Sequence, residues 1–294
     1  MERLIKKPKW LKSQKLGAKR AVEVEKLLKK YQLYTVCEEA KCPNRGECFN
    51  RGTATFMILG ERCTRNCTFC AVDKTSKLLP PDPEEPERLA ELSKKLNLKH
   101  VVVTTVTRDD LEDGGAFQFV KVIEKIREKC NDDVTIEVLT SDLKGDKEAV
   151  KKIVDAKPDA YNHNIETCKR LYPKVRPMAK YERSLELLRF VKQIDNEMLT
   201  KSGFMVGLGE TEEEVYQMLD DLRKNNVDIV TIGQYMQPSI KHYPVHEYVH
   251  PEVFEKYKEY AINVGFKIVE SAPLVRSSYQ AEKARKLLKK RSVL

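Results

Sequence analysis

Residues 53–70 read TATFMILGERCTRNCTFC, an apolar run followed at once by three closely spaced cysteines. The apolar half predicts a buried strand, so that Cys63, Cys67 and Cys70 fall on the loop that leaves it. Zinc sites usually pair two Cys-x2-Cys loops, so three thiols with no fourth nearby favour an iron–sulfur cluster with one open iron. A zinc knuckle or buried free cysteines are the alternatives.

A second set of three cysteines, Cys37, Cys42 and Cys48, precedes this strand and is called the first cysteine group. A proline, an asparagine and a glycine between its last two members predict a looped backbone that lets the thiols converge. The group contains no Cys-x2-Cys pair, which argues against the alternative of a zinc site. The first cysteine group and the cysteine loop (63–70) therefore each lack a fourth protein ligand.

The chain has 294 residues, 41% of them hydrophobic, which suffices for one large α/β domain or two ordinary ones. Six of its eight cysteines lie between residues 37 and 70, which favours a metal-binding protein of a reducing compartment over a secreted disulfide framework. No apolar run approaches the roughly 20 residues of a membrane span, and residues 1–15 lack the hydrophobic centre of a signal peptide. We therefore expect a cytoplasmic protein that does not enter a membrane.

The formal net charge of +9 is unevenly distributed. Residues 1–30 carry eleven Lys and Arg against three acids, and residues 281–294 carry six against one, which leaves residues 31–280 with a net charge of −4. A nucleic-acid groove would need its positive charge in the folded body. The distribution argues against nucleic-acid binding.

Strand-like and helix-like segments alternate along the chain. Apolar and β-branched runs predict strands at 53–59, 100–106, 134–139, 160–165, 204–206 and 229–232. Amphipathic periodicity predicts helices at 17–33, 86–96, 116–130, 147–155, 181–194, 211–224 and 251–264. Six such βα units are too few for a closed eight-fold barrel. We predict an α/β fold, an open, partial (β/α)6 parallel barrel.

Polar residues follow each predicted strand. Because the carboxyl ends of parallel strands share one face, we expect these residues to line a rim suited to a polar, hydroxyl-bearing cofactor. For Asp142 and Glu210 a turn or helix cap is an equally good interpretation. His163 is expected to be a core residue rather than a metal ligand. After the cysteine loop, the rim includes Arg108, Ser141, Asp142, Asn164, Glu166, Gly207, Glu210 and Gln234.

The cysteine loop, with Phe69 before its last thiol, resembles the signature of the radical S-adenosylmethionine (SAM) superfamily. Together with the sequence RSSY at 276–279, the first cysteine group resembles the lipoyl synthase family within it. The resemblance spans about residues 7–281 and includes the strings KPKWL, YNHNIET, YPKVRP, TKSGFMVGLGE and GQYMQPS.

This resemblance implies SAM and two [4Fe-4S] clusters as cofactors. Cys63, Cys67 and Cys70 would hold the cluster whose open iron binds SAM. The auxiliary cluster would be held by the first cysteine group and by Ser277, whose oxygen is easier to lose than a thiolate. These three cysteines of the loop and Ser277 are the expected catalytic residues.

Three positions depart from the family pattern, and none of them removes a cluster ligand. Gln280 stands where the family usually has His, Ser141-Asp142-Leu143 where it has Pro-Asp-Phe, and Ala272-Pro273 where it has Gly-Pro.

The implied activity is sulfur insertion at C6 and C8 of an octanoyl chain amide-linked to a lysine. The expected partners are octanoylated lipoyl carrier domains, namely 2-oxoacid dehydrogenase E2 subunits and the glycine cleavage H protein, and a low-potential electron donor such as ferredoxin or flavodoxin. Expected SAM contacts are Arg108, Asn164 and Glu166, with Arg176 as a further candidate. Ordinary salt bridges are the alternative for the arginines.

Two other functions remain open at this point. One is a different radical SAM sulfur-inserting enzyme, of the biotin synthase or methylthiotransferase kind, and the other is a non-catalytic zinc-binding module. The expected organisation is an N-terminal extension (1–50), a radical SAM partial barrel (51–250) and a C-terminal helix with the RSSY segment (251–294). The two extensions are expected to cover the open face of the barrel.

Overall fold

A single eight-stranded sheet organises the chain, and its strands lie side by side in sequence order. The structure, a computed structural model, describes residues 6–11, 18–39, 42, 44–51, 53–74, 78–279 and 281. The first strand pairs antiparallel with the second, and all later neighbours are parallel. The strands are β1 (Tyr34–Thr35), β2 (Thr53–Ile58), β3 (His100–Thr105), β4 (Thr135–Leu139), β5 (Ala160–Asn162), β6 (Leu199–Val206), β7 (Ile229–Gln234) and β8 (Ile268–Ser271).

Helices connect the parallel strands and bury one apolar face each. In the helix after β3, for example, Phe119, Val122, Ile123 and Ile126 are all buried. None of the described helices is both long and apolar enough to span a bilayer. The helices are α1 (Ala18–Lys30), α2 (Val36–Glu39), α3 (Arg45–Asn50), α4 (Glu85–Lys95), α5 (Ala116–Lys129), α6 (Lys147–Asp155), α7 (Tyr172–Val175), α8 (Tyr181–Ile194), α9 (Glu212–Lys224) and α10 (Pro251–Asn263).

The predicted partial parallel barrel is confirmed, with two more strands than the sequence indicated. The six predicted strands correspond to β2–β7, whereas β1 and β8 extend the two edges of the sheet. Strand β6 also begins at Leu199 rather than at residue 204. Its first half contains Thr200, Lys201 and Ser202, three buried polar residues that hide the apolar pattern of a strand.

A buried polar cluster lies between the central strands. The Glu137 carboxylate on β4 accepts hydrogen bonds from Lys201 Nζ of β6 at 2.9 Å and from Asn162 Nδ2 of β5 at 2.9 Å. His100 Nε2 of β3 lies 3.6 Å from the same carboxylate. Burial opposes ionisation of Glu137, but Lys201 and His100 outweigh it and lower its pKa to about 2. The interior therefore holds a charged, hydrogen-bonded carboxylate.

The backbone of the first cysteine group differs from the predicted loop. Cys37 lies in α2 and Cys48 in α3, and only Cys42 lies between helices. The Cys42 N–H donates to the Cys37 carbonyl at 3.0 Å, which ties Cys42 to α2. Two short helices therefore carry Cys37 and Cys48, and Cys42 lies between them.

Candidate active site

The cysteine loop follows the carboxyl end of β2 and is pinned by backbone hydrogen bonds to its neighbours. The N–H of Thr64 donates to the carbonyl of Thr107, just beyond β3, at 2.9 Å. The N–H of Thr68 donates to the carbonyl of Val175 in α7 at 3.0 Å. These two contacts fix the loop against β3 and α7, and within the loop the Arg65 N–H donates to Cys63 Sγ at 3.4 Å.

The three thiols of the loop lie close enough to influence one another. Burial raises the pKa of Cys67, partly offset by Arg176, and the Cys63 thiol raises it further. Burial also raises the pKa of Cys70, to about 12. Such thiols stay neutral until a metal displaces their protons, and three sulfur donors on one short loop fit an iron–sulfur cluster.

Arg65, inside the cysteine loop, is a site residue that the sequence analysis missed. Its side chain is 3% exposed and pairs with Asp109 at 2.7 Å and with Asp142 at 2.6 Å. Asp142 is fully buried, and although burial opposes its ionisation, Arg65 outweighs this and lowers its pKa to about 2. Asp142 also accepts the Lys144 N–H, the turn role considered for it above. The loop is thus anchored to the ends of β3 and β4 by a buried ion-pair network.

Replacing Arg65 by Ala is expected to lower the free energy of unfolding by about 2 to 3 kcal/mol, because two carboxylates lose charged hydrogen bonds. Arg183 still contacts Asp142 at 3.2 Å and limits the loss. Urea denaturation of the Arg65→Ala and Arg65→Lys variants measures the effect. The free energy of unfolding of the Lys variant should lie between those of wild type and Arg65→Ala, because lysine keeps the positive charge but cannot bind two carboxylates in the geometry of a guanidinium. Equal stability of all three proteins would contradict this role.

The first cysteine group lies at α2 and α3, with Cys42 between the two helices. Cys37 is buried, and burial followed by the neighbouring Cys42 and Cys48 thiols raises its pKa to about 12. The mutual influence of the three sulfurs shows that they share one small region. Cys37 is therefore a neutral thiol that a metal would deprotonate on binding, and the group offers three sulfur donors as the cysteine loop does.

The RSSY segment and the residues just before it, near the other end of the sequence, contact the stretch between Cys42 and Cys48. Asn44 Nδ2 donates to the Leu274 carbonyl at 2.5 Å, and the Tyr279 hydroxyl donates to Glu47 Oε1 at 3.3 Å. The Arg276 guanidinium interacts electrostatically with Cys42. Segments about 230 residues apart in sequence are thereby joined. Gln280, the departure from the family pattern noted above, lies outside the described residues.

Ser277 lies at the carboxyl end of β5. Asn162 Nδ2 donates to its Oγ at 3.0 Å, and its hydroxyl donates to Asn164 Oδ1 at 3.0 Å. The Ser277 hydroxyl is therefore bound at the polar rim of the barrel. The chain on either side of it contacts Asn44 and Glu47.

Asn164 and Glu166, two of the expected SAM contacts, form a pair on this rim. Asn164 Nδ2 donates to Glu166 Oε1 at 3.0 Å, and burial raises the pKa of Glu166. Glu166 has a left-handed backbone with φ of 66°. Hydrogen bonds from its N–H to the Gly203 carbonyl and from the Met205 N–H to its own carbonyl hold it there. A strained, well-fixed polar residue of this kind is typical of a ligand site.

The two arginines expected near SAM occupy different positions. Arg176 donates to the carbonyls of Asn164 and Ile165, and its Nε is buried with no partner among the described residues. Arg108 instead pairs with Asp110 at 2.8 Å and donates to the Leu59 carbonyl. Arg176 is thus joined to the Asn164–Glu166 pair, whereas the contacts of Arg108 tie it to the chain around β2 and β3.

Comparison with known proteins identifies the family. Residues 57–222 match the model of the radical SAM superfamily. The chain is 58% identical over 283 residues to a lipoyl synthase of Caldicellulosiruptor saccharolyticus, covering 96% of this chain and 99% of the relative. The chain belongs to the lipoyl synthase family of radical SAM enzymes. A second lipoyl synthase, of Alkaliphilus metalliredigens, is 56% identical and covers 95% of this chain and 96% of the relative.

Two solved structures share the fold at low sequence identity. Methylornithine synthase (PylB) superposes with a TM-score of 0.57 and 16% identity, covering 84% of this chain and 77% of its own. HydG, a maturase of the [FeFe]-hydrogenase, gives 0.54 and 17%, covering 92% and 72%. These likenesses support the partial barrel and nothing finer.

Membership in the lipoyl synthase family fixes the broad chemistry. The enzyme uses SAM and a [4Fe-4S] cluster, and its substrate is an octanoylated protein. Among the described residues, no three His, Cys, Asp or Glu side chains converge to hold a single metal ion.

Other polar residues of the rim have structural roles in this lipoyl synthase fold. Glu210 accepts the N–H groups of Gly207 and Leu208 and closes the turn after β6. His163 lies between the Thr140 carbonyl and Ser184 Oγ, both at 2.9 Å, and burial lowers its pKa to about 4, so it is neutral. The expectation of a core histidine therefore agrees with its contacts.

Proposed function

We propose that the chain inserts two sulfur atoms, at C6 and C8 of a protein-bound N6-octanoyl-lysine, to give lipoyl-lysine. The observation that carries this proposal is the position of Ser277. The chain on either side of it is bonded to Asn44 and Glu47, which lie between Cys42 and Cys48, and its hydroxyl is bonded to Asn162 and Asn164 on the barrel rim. A sulfur source beside a radical site is what the reaction requires.

The radical half of the site is assigned to the cysteine loop. Cys63, Cys67 and Cys70 would hold the [4Fe-4S] cluster that, once reduced, cleaves SAM and supplies the 5′-deoxyadenosyl radical for hydrogen abstraction. The role of the loop is to fix these three sulfurs, and the bonds of Thr64 and Thr68 to the chain beyond β3 and to α7 suit it to that role.

The SAM contacts are assigned to the rim beside this loop. Asn164 and Glu166 offer an amide and a carboxylate suited to a ribose and an ammonium group. Arg176, whose Nε has no partner among the described residues, suits a carboxylate. Arg108 stays a candidate that would have to exchange its pairing with Asp110 for SAM.

The sulfur-supplying half is assigned to a second [4Fe-4S] cluster, which acts as substrate. Its ligands would be Cys37, Cys42, Cys48 and Ser277. Three thiolates and one alcohol oxygen form an uneven ligand set in which the oxygen is the weakest ligand to iron. This suits a cluster that must be dismantled when its sulfur is transferred.

The proposed partners follow from the substrate and the cofactor. The octanoyl-lysine would be presented by lipoyl carrier domains of 2-oxoacid dehydrogenase E2 subunits and by the glycine cleavage H protein, and the electron by ferredoxin or flavodoxin. We place the reaction in the cytoplasm, where thiols stay reduced. We also propose the three-part organisation at 1–50, 51–250 and 251–294, of which 282–294 lie outside the described residues.

An anaerobic assay with an octanoyl-lysyl peptide tests the proposed function. The reconstituted chain, with SAM and dithionite, is expected to hold iron and sulfide equivalent to two [4Fe-4S] clusters and to yield a peptide heavier by two sulfur atoms. Iron and sulfide analysis and mass spectrometry give both readouts. SAM cleavage without any sulfur gain would favour a biotin synthase or methylthiotransferase activity, and a colourless preparation containing zinc would favour a binding module.

A further inference from the structure

We propose that Asn162 and Asn164 form a resting site for the Ser277 hydroxyl, which the serine occupies whenever it is not bound to iron. The inference rests on the proposed function, because it takes Ser277 as a ligand of the second cluster. Ser277 Oγ lies 3.0 Å from both asparagine side chains, which stand at and just beyond the end of β5. The two residues act on the serine and are positioning residues.

The direction of these hydrogen bonds is fixed by Glu137. Its carboxylate, ionised beside Lys201, only accepts, so the amide NH2 of Asn162 must face it. The second N–H of that NH2 points at Ser277 Oγ, which therefore accepts. The opposite amide orientation would place Asn162 Oδ1 against the Glu137 carboxylate.

The single proton of Ser277 is then left for Asn164 Oδ1. Asn162 Oδ1 is buried with no partner among the described residues, so its amide is oriented entirely by what its NH2 contacts. The site is thus selective for a protonated oxygen, one that can accept and donate at once.

As an iron ligand, Ser277 would instead use a deprotonated oxygen. When Ser277 leaves iron, the O–Fe bond would break with the electron pair kept by the oxygen, which would take a proton from water, leave hydroxide in the solvent, and donate the resulting O–H to Asn164. No oxidation state changes in this step. The hydrogen bond that Ser277 donates to Asn164 is available only to the released hydroxyl, so it favours release and with it the dismantling of the second cluster.

Cluster loss to a chelator tests the resting site in the full, reconstituted chain. Asn162→Ala is expected to slow the loss of the second cluster several-fold, because released Ser277 loses its partners, whereas Ser277→Ala is expected to accelerate it. Absorbance during anaerobic incubation with EDTA gives the rates. Asn225→Ala is the matched control, because Asn225 Nδ2 donates to the Asp221 carbonyl at the end of α9. Faster loss in Asn162→Ala would mean that the asparagine merely supports the site, and would overturn the proposal.

Hydrogen exchange of the cluster-free chain gives a second readout that needs no activity. Asn162→Ala and Ser277→Ala are each expected to speed exchange at amides of 275–279 by about 10-fold. The double variant should exchange no faster than either single variant, because both substitutions remove the same contact. A double variant whose exchange rate rises by the product of the two single effects would overturn the proposal. If the wild-type chain binds one cluster, the proposed ligand assignment is wrong. If it binds two clusters and Asn162→Ala releases the second at the wild-type rate, the resting site alone is wrong.

Discussion

The Cys63→Ala variant is expected to lose SAM cleavage and sulfur insertion together, whereas Cys37→Ala is expected to keep SAM cleavage and lose only insertion. Cys63 belongs to the loop pinned beside β3 and α7, while Cys37 lies in α2 against two other thiols. Each loss should reach about 10⁴-fold or more, the scale for removal of an indispensable catalytic group. Released 5′-deoxyadenosine and peptide mass separate the two reactions.

Cys130→Ala is the matched control for these variants. This cysteine ends α5, and its sulfur is directed to the Ala90 carbonyl at 3.7 Å, so both reactions should persist. Iron analysis should show one cluster fewer in each of the other two variants. Loss of SAM cleavage in Cys37→Ala would contradict the assignment of SAM cleavage to the cysteine loop and of sulfur supply to the first cysteine group.

The second large effect concerns the barrel interior, where Lys201→Met is expected to destabilise the chain by about 3 to 5 kcal/mol at pH 7. The substitution leaves the buried Glu137 carboxylate without its main countercharge. Urea denaturation of the cluster-free chain measures the loss. Lys258→Met, at an exposed pair with Glu255, should cost less than about 1 kcal/mol.

The pH dependence of this effect has a definite sign. The pKa of Glu137 is lowered to about 2 in the folded wild type, so its contribution is present above about pH 4.5 and is lost as pH falls toward 2. In Lys201→Met, burial favours the protonated acid, so the difference between the two proteins should shrink below pH 5. The double variant Glu137→Gln, Lys201→Met should recover much of the stability. A difference that is constant with pH would show that packing rather than charge is responsible.

The order of strands and helices could be predicted from the sequence because most elements carry a clean apolar pattern. The exceptions have physical causes. Strand β6 directs Lys201 toward Glu137 inside the barrel, so half of it reads as polar. Strand β1 has only two residues and is defined by its pairing with β2. No local sequence pattern predicts that pairing.

The site could be predicted only where residues lie close together in sequence. The cysteine loop is local, so its spacing alone indicates a cluster. Ser277 has no such signal, and it became a candidate only through the family resemblance. Arg65 and Asp142 form a buried pair across 77 positions, and an arginine inside a cysteine loop gives no hint of its partner. The assignments of the cluster ligands stay predictions that the variants above test.

The joining of Asn44 to Leu274 and of Glu47 to Tyr279 also constrains when the protein can mature. At about 5 to 20 residues per second, a ribosome needs roughly 10 to 50 s to translate the stretch between these partners. The nascent chain thus displays Cys37, Cys42 and Cys48 long before Ser277 has been made. Under the proposed ligand assignment, the four-ligand site of the second cluster can therefore be completed only late in synthesis, once Ser277 has been added.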